Sequence, residues 1–351
     1  MLRLLVSFFY NIAYSINFMK PRLILKLSIR TLQSKIFRLV KLRYVDICVS
    51  ARCNLKCEHC FSENFKNREG EDSSRRDKEF NLNEWAWIIR ECKKAGVLSF
   101  GITGGEPLLY NELENLIRII DSRDSYITIN SNGLLFTEQK AESLRKLGVD
   151  AMLFSLDSAD AEFHNAFRHG DKAFEKTLEA VRLALKYKFK VCIVCTVSHE
   201  NIKSKGVLSL VELTKKMGVL LIFSRAAPVG KWRGRMDILL DRSDQEYMYQ
   251  LVHRHFHVRT DFEANILKRG CSAGTEKLYI TPYGDVLPCP FMHISFGNII
   301  STPIEIIRER VIKRLGFYAQ TCFVSENQDF IDRHLSKTFT RPSVYAEKEC
   351  F

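Results

Sequence analysis

An α/β architecture with a parallel sheet is what this sequence predicts, and three observations carry the prediction. Apolar runs of strand length alternate with stretches of helical period along most of the chain. Short motifs of Gly, Asn, Ser and Asp follow the apolar runs, where a parallel sheet gathers its chemistry. The composition, 46% hydrophobic over 351 residues, is that of a globular protein with a substantial core.

The first expected element is a basic amphipathic helical segment, residues 1–43. Residues 1–45 carry nine basic side chains (Arg3, Lys20, Arg22, Lys26, Arg30, Lys35, Arg38, Lys41, Arg43) and no acidic one, a large share of the net +12. The bias is local, and no basic, aromatic nucleic-acid module accompanies it. Residues 1–19 are apolar but broken by Arg3, Asn11 and Asn17, a poor membrane span. They also lack a clear cleavage site for a signal peptide. Beyond Pro21, Leu25, Ile29, Leu32, Ile36, Leu39 and Val40 form one helical stripe, with Lys26, Arg30, Arg38 and Lys41 on other faces. Two readings stand: a helix lying on a membrane surface, or one capping the bottom of a barrel.

Next comes the apolar run Val45–Val49, a buried strand that leaves its sheet at Ser50 and enters Cys53-Asn54-Leu55-Lys56-Cys57-Glu58-His59-Cys60. Three thiols on one loop can converge on a soft-metal site, iron–sulfur or zinc. A closed zinc site would want a fourth ligand, and His59, wedged between two cysteines, is the only nearby candidate. Residues 62–79 lack an apolar period and read as a flexible loop or lid. Helices are then expected near residues 83–95, 112–121, 138–147, 174–187 and 204–217. Strands are expected over 97–103, 126–130, 151–156, 190–197 and 219–224. With the first strand this makes six strand–helix units.

The strand ends carry Thr103-Gly104-Gly105-Glu106-Pro107, Asn130-Ser131-Asn132-Gly133, Ser155-Leu156-Asp157 and Arg225-Ala226-Ala227-Pro228-Val229-Gly230. Paired glycines admit close backbone approach, and Glu106 suits an ammonium group. Each motif alone could be an ordinary turn. Cys192 and Cys195, three apart on a strand, point to opposite faces and read as core. His253, His255 and His257 read as surface residues.

Together, Cys-x3-Cys-x2-Cys with the His59 ring before its last Cys, and Gly-Gly-Glu-Pro one strand later, resemble the signature of the radical S-adenosylmethionine (radical SAM) enzymes. The resemblance implies a partial (β/α)6 TIM-type barrel over residues 44–260. It implies a 4Fe–4S cluster on Cys53, Cys57 and Cys60 whose open iron takes SAM. It places His59, Gly104, Gly105, Glu106, Pro107, Asn132, Ser155, Asp157 and Arg225 among the residues that hold SAM.

Residues 261–351 carry a second pattern. Tyr283-Gly284-Asp285 suits a hairpin turn that brings Cys271 and Cys289 together. Cys271-x12-Gly284-x4-Cys289, with Gly297-Asn298-Ile299, resembles the opening of the SPASM extension or its shortened twitch relative. That implies a small β-hairpin domain with one auxiliary 4Fe–4S cluster, Cys322 as third ligand and Cys350 as a candidate fourth. The activity so implied is reductive cleavage of SAM and hydrogen abstraction from an organic substrate, fed by an external donor such as flavodoxin or ferredoxin. If α-helical residues before Tyr44 meet a membrane, a lipid or lipid-linked substrate follows. The alternatives are a peptide maturase, a sugar dehydrogenase, or a non-catalytic iron–sulfur protein tethered to a membrane. Eleven cysteines and a cluster motif place the chain in a reducing cytoplasm, peripheral on the membrane in the first reading.

Overall fold

The computed structural model describes residues 20–36, 40–66, 78–261 and 270–351. The apolar segment 1–19, Leu39 and most of the expected lid lie outside the described residues. Six strands form where alternation placed them: β1 (Tyr44–Cys48), β2 (Ser99–Thr103), β3 (Tyr126–Ser131), β4 (Ala151–Ser155), β5 (Lys190–Val197) and β6 (Leu220–Arg225). They pair in parallel in chain order. Side chains alternate across the sheet, so Val45, Ile47, Ile102, Ile129, Phe154, Ile193 and Phe223 are buried beneath the crossover helices. Those helices are cut by their own ends. In α2 (Leu82–Lys94) a capping box joins Asn81 to Glu84, and Trp85, Ile88, Ile89 and Cys92 face inward.

The sheet is longer than six strands and does not close. A short β7 (Val258–Thr260) adds in parallel to β6, and β8 (Lys277–Ile280) adds in parallel to β1. The expected hairpin forms, with β9 (Val286–Leu287) antiparallel to β8 and Gly284 at φ +93° in the turn. It stands in the main sheet, where it covers the edge that β1 would otherwise leave unpaired. The junction is polar. Asp46 accepts from Tyr44 Oη (2.8 Å) and pairs with Lys277 Nζ (2.7 Å). Opposite them Gly101 has no choice of residue, since a Cβ there would meet Asp46 Oδ1 at 2.1 Å.

At the opposite end from the motifs, α1 (Pro21–Ile36) plugs the floor of the barrel. Leu23 is buried with Leu98, Tyr126 and Ala151, and Lys20 donates to Asp150 and to the carbonyls of Ser125 and Gly148, at the starts of β3 and β4. The capping reading of this segment is therefore met, yet the stripe of Leu25, Ile29, Leu32 and Ile36 stays exposed. One histidine departs from expectation. His257 is buried at the entry to β7, its Nε2 on Val211 O at 2.9 Å, because β7 folds back under the helix Lys205–Met217.

Candidate active site

The site assembles at the carboxyl ends of β1 to β6. As β1 ends, the chain is steered by Glu79, whose carboxylate accepts from Ala51 N (2.7 Å) and Ser50 Oγ (3.1 Å). It then enters the cysteine loop. Gly104 and Gly105 lie directly against this loop: a Cβ on either would stand 2.6 Å from Ser50 O or 2.3 Å from Arg52 O. The glycine pair thus lets the end of β2 abut the cysteine loop, which larger residues would push away.

Cys53, Cys57 and Cys60 act on one another electrostatically. Burial first, then the charge of Glu106 and the thiols of Cys57 and Cys60, raise the pKa of Cys53 to about 11; burial and Cys60 push Cys57 up against the lowering charge of Arg168. Among the described residues all eleven thiols are free of disulfides. Three half-buried to buried thiols on one loop, none of them in a disulfide, form a soft donor set of the kind that holds iron. The residues present therefore fit an iron–sulfur group. His59 is stacked on Phe167 (4.7 Å, 6°) and lies beside Trp232 (5.7 Å). Burial and the charge of Arg168 lower its pKa to about 3, and its Nδ1 has no hydrogen-bond partner among the described residues. The loop after β6 closes this corner: Lys231 N donates to Cys60 O (3.1 Å), and Gly230, at φ +64°, leaves no room there for a Cβ.

The other strand-end residues mainly brace the loop. Glu106 is buried and accepts from Leu108 N (3.0 Å), Ser131 Oγ (2.8 Å) and Asn132 N (2.8 Å). Burial raises its pKa to about 7 against those bonds. Pro107 opens the turn that follows. Asn132 Nδ2 reaches Asn54 Oδ1 inside the cysteine loop at 2.8 Å. Ser155 is half-buried at the end of β4.

Asp157 is committed elsewhere. Both its oxygens take the guanidinium of Arg168 (2.6 and 3.0 Å), and Oδ1 accepts from Thr196 N (3.0 Å). Burial would raise this carboxyl, but Arg168 and His164 hold it well below the usual carboxylate range. Arg168 in turn points Nη1 at Cys57 Sγ, 3.8 Å away. It is the last residue of the helix Ala161–Arg168, capped at its start by Asp160 and at its end by His169 at φ +49°. Sequence reading missed Arg168 and Glu79. The only signal for Arg168 was its place after Ser-x-Asp, at the end of a short capped helix.

Arg225 also lies where it was not sought. Its guanidinium spans Glu326 (2.5 Å) and Asp261 (3.2 Å), beside Cys322 rather than the cysteine loop. Glu326 returns the contact by accepting from Cys322 N at 2.7 Å. Cys271, Cys289 and Cys322 form the second group of thiols. Burial raises Cys271 to about 12, with Cys322 adding to it, and Cys289 is raised by burial and by both of the others. This donor set too fits an iron–sulfur group. Cys350 lies buried in the last helical turn, its carbonyl accepting from His334 Nδ1 (3.0 Å) and Lys337 Nζ (2.9 Å). The two thiol loops meet through aromatic rings: Phe61, next to Cys60, packs edge-on to Phe291, two residues past Cys289, with centroids 5.4 Å apart.

Comparison with known proteins agrees with this geometry. Residues 47–211 match the family model of the radical SAM superfamily, and residues 271–328 match the SPASM model, an iron–sulfur cluster-binding domain. The chain is 27% identical over 292 residues to the AdoMet-dependent heme synthase of Methanosarcina barkeri, covering 74% of this chain and 80% of that one. It is 26% identical over 287 residues to the subtilosin biosynthesis protein AlbA of Bacillus subtilis, covering 79% and 61%. The crystal structure of Streptococcus suis SuiB bound to precursor peptide SuiA superposes with a TM-score of 0.62 at 18% identity, over 92% of this chain and 79% of that one, a likeness of fold.

Proposed function

The chain belongs to the radical SAM superfamily and carries a SPASM domain, and from that premise we infer that it oxidatively matures a peptide. A 4Fe–4S cluster on Cys53, Cys57 and Cys60, when bound, supplies the electron that splits SAM into methionine and a 5′-deoxyadenosyl radical. The protein's own part is to place and shield. Gly104 and Gly105 keep the strand end against the cysteine loop. His59, Phe167 and Trp232 offer an aromatic wall for a purine. Arg168 holds a positive charge on Cys57, and Glu106, close to neutrality, is poised to ionise beside an incoming ammonium group.

The observation that carries the reading is the contact of the two thiol-bearing loops through Phe61 and Phe291. Such a pair suits a substrate that loses a hydrogen atom at one side and an electron at the other. The balance would be one hydrogen atom to 5′-deoxyadenosyl, one electron to a cluster that Cys271, Cys289 and Cys322 would hold, and one proton to solvent. The priming electron comes from an external donor of the flavodoxin or ferredoxin class. A peptide is favoured over the lipid reading because AlbA is named for making a peptide bacteriocin. The floor helix also lies at the wrong end of the barrel to feed a lipid to the site. A heme precursor is the second reading, favoured by the synthase match. Anaerobic reconstitution, reduction and incubation with SAM and encoded precursor peptides tests the proposal. Peptide two mass units lighter, formed with 5′-deoxyadenosine, supports it; SAM cleavage unmoved by any peptide but coupled to a porphyrin precursor overturns it.

A further inference from the structure

Helix α1 has two sides that do different things. Leu23 and Leu27 turn into the floor of the barrel. On the opposite side Leu25, Ile29, Leu32 and Ile36 are 62%, 47%, 57% and 61% exposed. Their spacing puts them in a single line along the helix. Four large aliphatic side chains in one exposed row are costly to leave in water.

Beside this row lies a cleft of about 390 Å³ between α1 and the start of β2, lined by Lys26, Ile29, Arg30, Lys41, Lys93 and Asp124 among others. Asp124 is its only acid among the described residues and is already paired with Lys26 (2.5 Å) and Lys93 (2.9 Å). Four cations against one anion leave a net positive cleft, and Ile29 belongs both to it and to the apolar row. An aliphatic row edged by a cationic cleft fits a surface that is apolar within and anionic at its rim. We propose that α1 docks the protein on an anionic phospholipid surface, with headgroup phosphate at Arg30 and Lys41 and the row of Leu25, Ile29, Leu32 and Ile36 at the acyl boundary. A second copy of the chain is a poorer occupant, because two-fold pairing of this face would set the two basic clefts together.

The docking face is at the strand starts and the thiol loops at the strand ends, some ~16 Å apart along a five-residue strand at ~3.3 Å per residue. The thiol loops therefore face away from the surface on which α1 would dock. The inference concerns a surface apart from the thiol loops and stands whatever the substrate proves to be.

Flotation of the full chain with phosphatidylcholine vesicles, with and without phosphatidylglycerol, tests it. Binding is expected only to the anionic vesicles and should weaken with salt. The exposed-face double variant Ile29→Glu/Leu32→Glu should lower the partition coefficient by about tenfold or more, with circular dichroism and SAM cleavage unchanged. Arg30→Glu/Lys41→Glu should abolish the preference for anionic lipid. Failure to float with anionic vesicles at low salt overturns the proposal. So does equal flotation of Ile29→Glu/Leu32→Glu, or a dimer that this variant dissolves in the absence of vesicles. Binding of inorganic phosphate without flotation overturns it as well.

Discussion

The two thiol triads are built by different means. Cys53, Cys57 and Cys60 lie on one loop of eight residues, so that chain connectivity alone keeps them near one another. Cys271, Cys289 and Cys322 come from three places that only the folded sheet brings together: the approach to β8, the far side of the hairpin, and the segment after the helix Ile304–Leu315. The first triad is a local motif resting on a barrel; the second is a product of the barrel. Arg225, reaching from β6 to Glu326 beside Cys322, ties the second to the first fold. Disturbing the barrel should therefore harm the auxiliary triad more than the loop triad.

Removing thiols separates the two most sharply. Cys57→Ala should abolish SAM cleavage and cost about four irons per chain after reconstitution. The triple variant Cys271→Ala/Cys289→Ala/Cys322→Ala should lose a similar amount of iron yet still produce 5′-deoxyadenosine, while turning over no peptide. Iron analysis and chromatography of the nucleoside read both outcomes. Loss of SAM cleavage in the triple variant would erase the distinction between the triads.

Next in size is the Asp157–Arg168 pair, the buried ion pair behind Cys57. Arg168→Ala leaves Asp157 buried and uncompensated, and should cost about 3–5 kcal/mol in anaerobic denaturant titration. Arg168→Lys keeps the charge but loses the fork, and should cost less. Asp157 is held well below its ordinary range, so the stability it lends is present above about pH 4 and fades as acid protonates it. Wild type should lose that increment below pH 4, and Arg168→Ala should have none to lose.

Sequence legibility followed the same local-to-global divide. The six strands and the cysteine loop were readable because alternation and spacing act within a few residues. The hairpin was readable from its Tyr-Gly-Asp turn, but not its docking on β1, since strand pairing across more than 200 residues leaves no local trace. Arg225 was sought at the SAM side, because its place at a strand end says nothing about which carboxylates the fold will bring to it. Arg168 was missed for the converse reason: an Arg ending a helix usually meets solvent, and only the crossing of β4 with the cysteine loop buries it. The stripe of α1 was legible as a face, and the capping of the barrel was one of two readings left open, because helical period shows that a face exists but not what covers it.

Glu106 should give a smaller effect with the opposite sign to Asp157. Burial lifts its pKa from 4.5 to about 7, so the folded state holds a proton that the unfolded chain has released. The stability so contributed is full below pH 4.5 and lost as pH rises through 7, about 3 kcal/mol at ~1.4 kcal/mol per unit. Glu106→Gln should flatten the slope between pH 5 and 7.5, followed by denaturant titration at each pH. An unchanged slope would assign the proton elsewhere.

Cys350→Ser is the smallest and the most discriminating change. The thiol is buried in the last helical turn, its pKa pushed up to about 11 by burial and Glu349. Around it, Phe351 stacks on His334 at 4.3 Å, and the backbone carbonyl is already used twice. The SPASM match ends at residue 328, short of this cysteine. The variant should keep all its iron and lose only about 1 kcal/mol of stability, whereas Cys322→Ser should shed the auxiliary iron. If iron analysis instead shows Cys350→Ser losing as much as Cys322→Ser, the auxiliary site has four thiols. The contrast would then be between an open cluster in the loop and a closed one in the fold.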